Sequence, residues 1–165
     1  MPIEFSLKLK KYLLNYELLI SEIEDKLGNF VNCVKISDNQ FDLDATYETM
    51  GFGIAFIKSF EKGKKLGYET KFLNEIFLYD QLLFFNFNKD FYREISYNTV
   101  LEFIFNIMKK INTEALLCNS FSQELCFFKN NKEVLINSSL EIWENINFYE
   151  TISEWNYCEL NLDLC

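Results

Sequence analysis

The sequence predicts an α+β fold: an antiparallel β-sheet packed with two main helices, at about 11–28 and 95–111, and a C-terminal hairpin. Apolar residues alternate with polar ones at the start of the chain, the period changes to that of a helix in two places, and short apolar runs bounded by turn residues fill most of the rest. Two helices are too few for an alternating β-α design, so helices laid on an antiparallel sheet are favoured. The 165 residues fit one domain, 1–165, and 49% hydrophobic content with 18% aromatic is enough to close a core.

Ile3, Phe5, Leu7 and Leu9 alternate with polar neighbours, the period of a half-buried strand. Tyr16, Leu19, Ile20, Ile23 and Leu27 then follow helical spacing, with Gly28 where a left-handed cap belongs. Strand-like runs come next at Val31 to Ile36 and Gly53 to Phe60, followed by a segment from Tyr68 through Phe87. Within that segment, Ile76 to Tyr79 and Leu82 to Phe85 are apolar enough for strands buried on both faces. Tyr97, Val100, Leu101, Ile104, Phe105, Met108 and Ile111 trace one helical face; Ser96 or Thr99 can cap its start, and Lys109 and Lys110 suit its negative end. Strands are expected at Ala115 to Cys118, Glu124 to Phe128 and Glu133 to Ile136, the last two joined by a hairpin turn over Lys129 to Lys132. A short helix is expected near Leu140 to Asn147.

Charge is unevenly placed. After Lys132 there is no Lys or Arg, while Glu133, Glu141, Glu144, Glu150, Glu154, Glu159 and Asp163 follow, which is −7 of the net −9. A second acidic run, Asp38, Asp42, Asp44 and Glu48, has no basic residue between Lys35 and Lys58. Such fields repel nucleic acid and speed encounters with basic partners; the plain alternative is a solvated face that aids solubility. The lysines at 58, 62, 64, 65 and 71 are interrupted by Glu61 and Glu69, so no nucleic-acid partner is expected.

The absence of histidine removes the commonest general base, the Ser-His and Cys-His pairs and every imidazole zinc site. Carboxylate pairs such as Asp42/Asp44 or Glu141/Glu144 could still catalyse, but sequence neighbours rarely flank a substrate, and no enzyme is expected. A calcium loop counted from Asp38 fails at Leu43 and Thr49, which stand where Gly and Glu are needed. Gly51-Phe52-Gly53 and Gly63-Lys64 match no phosphate loop and are expected to be turns, so neither metal nor cofactor is expected. Cys33, Cys118, Cys126, Cys158 and Cys165 form no C-x-x-C pair and are expected to be reduced, Cys118 and Cys126 acting as small apolar residues. No window of 18 apolar residues and no basic-then-apolar start is present, so no membrane association is expected and a cytoplasmic location is. The many Phe, Asn, Ile and Lys codons suggest an AT-rich, bacterial genome.

In order along the chain stand Ile3-Glu4-Phe5-Ser6-Leu7, the first helix, Gly51-Phe52-Gly53-Ile54, Leu82 to Phe87 with Lys89, the helix Val100 to Ile111 and Glu114-Ala115-Leu116-Leu117. The hairpin Leu125 to Phe128 with Val134 to Asn137, and Trp143, complete the series. This succession resembles the immunity proteins that protect bacteria against contact-delivered polymorphic toxins, in particular the group paired with swarming-inhibition toxins. The resemblance spans most of the chain, with Tyr68 to Tyr79 fitting less well. It implies binding without catalysis: neutralisation of one cognate toxin C-terminal domain, commonly a basic nuclease. It carries over no functional residue, because such interfaces vary from pair to pair. From the charge pattern itself, the candidate contact residues are Asp38, Asp42, Asp44 and Glu48, and Glu141, Glu144, Glu150, Glu154 and Glu159 with Trp143, Tyr149 and Trp155 as aromatic anchors. The other class considered is a non-catalytic structural or adaptor subunit of a phage or secretion-system assembly.

Overall fold

A computed structural model describes residues 4–11, 16–27, 34–37, 40–43, 45–58, 64–141, 143 and 148–164. The strands are β1 (Glu4–Leu9), β2 (Val34–Ser37), β3 (Gln40–Leu43), β4 (Phe52–Lys58), β5 (Leu66–Thr70), β6 (Glu75–Tyr79), β7 (Gln81–Phe87), β8 (Ala115–Asn119), β9 (Glu124–Phe128), β10 (Glu133–Asn137) and β11 (Asn156–Leu160). The helices are α1 (Tyr16–Leu27), α2 (Ala45–Met50), α3 (Arg93–Lys110) and α4 (Phe148–Thr151). Nine strands form one sheet in the order β11-β10-β9-β8-β1-β7-β4-β3-β2, and β5 and β6 pair by themselves. Every neighbouring pair is antiparallel except β10 with β11.

Strand alternation gives the sheet two different faces. Phe5, Leu7 and Leu9 of β1, Phe85 and Phe87 of β7, Leu117 of β8 and Phe128 of β9 point to one face, where they meet Leu19 and Ile23 of α1 and the apolar side of α3 in the main core. The intervening Leu116, Cys118, Phe127 and Leu135 point to the other face, where Phe72 and Phe77 of the β5–β6 hairpin cover them, with Leu162 from the final 3-10 turn. The hairpin is fastened by a buried carboxylate: Glu124 accepts from the Thr70 hydroxyl at 2.7 Å and from the Lys71 and Phe72 amides at 2.8 and 3.3 Å. Lys8, buried on the same face, donates to Ser6 Oγ at 2.9 Å and lies 4.7 Å over the Tyr68 ring.

Several expectations are corrected. Ile76 and Leu78 are exposed, because β6 sits outside the main sheet and turns only Phe77 and Tyr79 inward. Neither Ser96 nor Thr99 caps α3: the N-cap is Tyr92 without a side-chain bond, Ser96 donates back to the Arg93 carbonyl at 3.1 Å and Thr99 to Ile95 at 2.8 Å. The Lys129–Lys132 turn is as expected, with Asn130 Oδ1 accepting from the amides of Lys132 and Glu133 at 2.8 and 2.9 Å. Gly51 after α2 has φ +81°, and a Cβ there would run into the Phe91 ring. The Gly28 cap and most of the helix expected at Leu140 to Asn147 lie outside the described residues; of that helix Glu141 and Trp143 are described in 3-10 conformation, and α4 follows at Phe148.

Burial also sets a response to alkali. It pushes the Cys118 and Cys126 thiols and the Tyr68, Tyr79 and Tyr97 phenols above their ordinary values. The folded chain therefore keeps protons that the unfolded chain releases, so stability is present in full below the ordinary values and falls as pH rises through them. Urea midpoints are expected to decline progressively above about pH 9. A midpoint unchanged to about pH 11 would count against this packing.

Candidate partner-binding surface

The C-terminal segment builds the surface on which the acidic candidates can be placed. Asn137, buried at the end of β10, accepts from the Leu162 amide at 3.4 Å and the Ser139 hydroxyl at 2.6 Å, and its side-chain amide donates to the Glu124 carbonyl at 2.9 Å. The chain then crosses the helical face of the sheet. Phe148, Ile152 and Trp155, spaced like one side of a helix, are all buried against it, and the chain returns as β11 alongside β10.

This crossing decides the aromatic residues. Trp143 is buried, stacks on Phe148 with ring centroids 3.9 Å apart and donates its indole N–H to the Asn137 carbonyl at 2.7 Å. Trp155 is buried between Phe105 and Phe128, at 5.3 and 5.5 Å. Both tryptophans are core residues, which corrects the expectation that they are exposed anchors: acidic neighbours made them look superficial, while the apolar spacing from Phe148 to Trp155 was the signal for burial. Tyr149 is 51% exposed. Its ring lies 6.4 Å from that of Tyr157, a residue the charge pattern did not single out, and its hydroxyl donates to Glu159 at 2.5 Å. That bond raises the Tyr149 phenol above its ordinary value by favouring the protonated form.

Among the carboxylates, Glu48, Glu141, Glu150, Glu154 and Glu159 are exposed. Glu154 pairs with Lys109 of α3, and its acidity rises accordingly, so this charge is partly answered within the chain. Asp42 lies on β3, in register with Val34 and Ala55. Asp38, Asp44 and Glu144 lie outside the described residues. The structure thus brings together Tyr149, Tyr157 and Glu159 at the β11 end of the sheet, with Glu133 at the start of the neighbouring strand. Glu48 belongs to α2, which packs on β4 toward the other end of the sheet order.

Among the described residues, charged groups border a hollow at each of two places. One, of about 290 Å³, is lined by Glu141 and Asp163 with Asn119, Gln123 and Ser139; the other, of about 260 Å³, by Glu22 and Asp25 of α1 with Lys109 and Lys110 of α3. In the second, Lys110 pairs with the buried Glu22. Among the described residues no group of three or more Cys, Asp or Glu side chains is placed to hold a metal ion, and no helix is long and apolar enough to cross a membrane. Cys118 and Cys126 are buried free thiols and Cys158 an exposed one. No protein-family model, curated protein or solved structure matches the chain.

Proposed function

We propose that this chain is an immunity protein that binds and neutralises a basic toxin domain, a nuclease being the favoured class, in the bacterial cytoplasm. It acts by occupying a surface of that domain, and its own side chains transform nothing. The observation that carries this reading is the gathering of carboxylates beside exposed tyrosines: Glu159 stands with Tyr149 and Tyr157 at one end of the sheet, in a segment with no Lys or Arg after residue 132. Rings supply affinity in such a contact, while carboxylates set encounter rate and partner choice. The order of motifs from the N-terminal strand to Trp143 supports the same class, and the lack of histidine supports binding over catalysis.

Co-expression with the product of the gene directly upstream is the test. Growth rescue together with co-purification is expected, and an upstream product that is harmless or fails to co-purify overturns the reading. With the purified pair, the association rate is expected to fall by about tenfold or more as salt is raised from low to several hundred millimolar. A rate indifferent to ionic strength would remove electrostatic steering from the account.

A further inference from the structure

Resting on that reading of a basic protein partner, we propose that the free edge of β11 is the docking strand, to which an extended, lysine-bearing segment of the partner adds beside Tyr157 and Glu159. β11 closes one end of the sheet order, and among the described residues no strand lies beyond it. It runs parallel to β10, and in a parallel ladder a strand bonds its neighbour through every second residue. The Asn156 amide donates to the Lys132 carbonyl and the Leu160 carbonyl accepts from Ser138, both at 2.9 Å. Asn156, Cys158 and Leu160 therefore direct their peptide groups toward β10. The N–H and C=O of Tyr157 and Glu159 face the opposite way, out of the sheet edge; of these, the Glu159 carbonyl receives a long contact from the Cys158 thiol at 3.9 Å.

The same alternation sends the Tyr157 and Glu159 side chains to one face, where Tyr149 contacts both. Natural sheet edges are commonly protected by lysine or proline, and β11 has neither. The charges beside it are Glu159 on the strand, with Glu133, the register partner of Asn156, and Lys132 across the pair, a net negative border. Charge chooses the occupant. A second copy paired edge to edge would bring its own Glu159 against this negative border, whereas a strand with lysines at alternate positions sets ammonium groups beside Glu159 while its backbone bonds the outward-facing peptide groups.

A labelled peptide of alternating lysine and valine, compared with one of alternating lysine and proline of equal length, separates strand addition from plain charge attraction, since proline cannot complete a ladder. The lysine–valine peptide is expected to bind at least about tenfold more tightly and to slow exchange of the Tyr157 and Glu159 amide protons. Glu159→Pro removes one outward N–H without touching a bond to β10 and is expected to abolish the preference, while Glu159→Gln keeps the N–H and weakens both peptides alike. Equal affinity for the two peptides, protection at other amides of the unaltered protein, or no binding would each overturn the proposal, and the exchange measurement decides even if the proline variant does not fold. Growth rescue retained by a folded Glu159→Pro protein overturns this docking mode and leaves the immunity reading standing. Edge protection by the peptide without rescue by the unaltered protein does the reverse.

Discussion

Phe105→Ala is expected to lower the unfolding free energy by about 3–5 kcal/mol, the range for deleting a buried aromatic ring. Phe105 is the residue of α3 on which the C-terminal crossing rests: its ring meets Phe128 of β9 at 4.9 Å, Trp155 at 5.3 Å and Phe148 at 5.8 Å, all in edge-to-face arrangements. Alanine leaves a void bounded by the sheet on one side and two aromatic residues on the other, a site that cannot collapse without moving the chain between α4 and β11. For a chain of this length the loss corresponds to a fall in Tm on the order of 10 °C. Near-ultraviolet circular dichroism and denaturant melts measure it. Phe105→Leu, which fills part of the void, is expected to lose less than half as much, and an alanine variant within 1 kcal/mol of the unaltered protein, a bound of roughly the size of an average surface change, would show that the aromatic cluster is not what holds the crossing. Because Tyr149 is carried on that crossing, the same variant is expected to loosen the acidic edge.

Glu124→Ala is expected to cost about 3 kcal/mol by a different route. Glu124 is 5% exposed, and its carboxylate receives the Thr70 hydroxyl and the amides of Lys71 and Phe72 from the turn of the β5–β6 hairpin. Removing the acceptor leaves the buried Thr70 hydroxyl without its acceptor and the Phe72 amide with only the Thr70 oxygen at 3.2 Å, and a buried orphaned donor costs more than the bond itself was worth. The hairpin has one apolar face on the sheet, so the expected consequence is local: amides from Leu66 to Tyr79 exchange faster while those of α3 and β7 keep their protection. Glu124→Gln retains one acceptor and is expected to fall between the two. Uniform loss of protection across the chain would mean that the hairpin and the sheet unfold as one unit.

The elements legible in the sequence are those with a clear one-dimensional signal. β1, α1 and α3 form where apolar periodicity places them, and the β9–β10 hairpin, buried on both faces, is marked instead by two apolar runs around a polar turn. β6 was misleading because Ile76-Phe77-Leu78 reads the same whether both faces are covered or one carries exposed aliphatic residues; Gly67, across the pair, lets Ile76 and Leu78 lie close to the backbone instead of into a core. β11 was illegible because an edge strand held mainly by backbone bonds has no apolar alternation to display: Asn156 through Glu159 are all exposed. α2, a six-residue helix inside an acidic run, was too short for its period to register. Of the candidate surface, the charges were plain and the rings were not. Acidic neighbours say that a segment reaches water, while the spacing from Phe148 to Trp155 says which of its side chains do not, and only Tyr149 of the three aromatic candidates lies outward.

The position of β1 constrains the order in which the chain can be assembled. Glu4–Leu9 pairs with β7 on one side and β8 on the other, so this strand is made before both of its partners, which end at residues 87 and 119. At ordinary translation speeds about ten seconds separate its synthesis from that of β8. Until β7 is made Phe5, Leu7 and Leu9 have no sheet to join, and the two halves of the nine-stranded layer cannot be zipped together until Glu4–Leu9 lies between them as the seam.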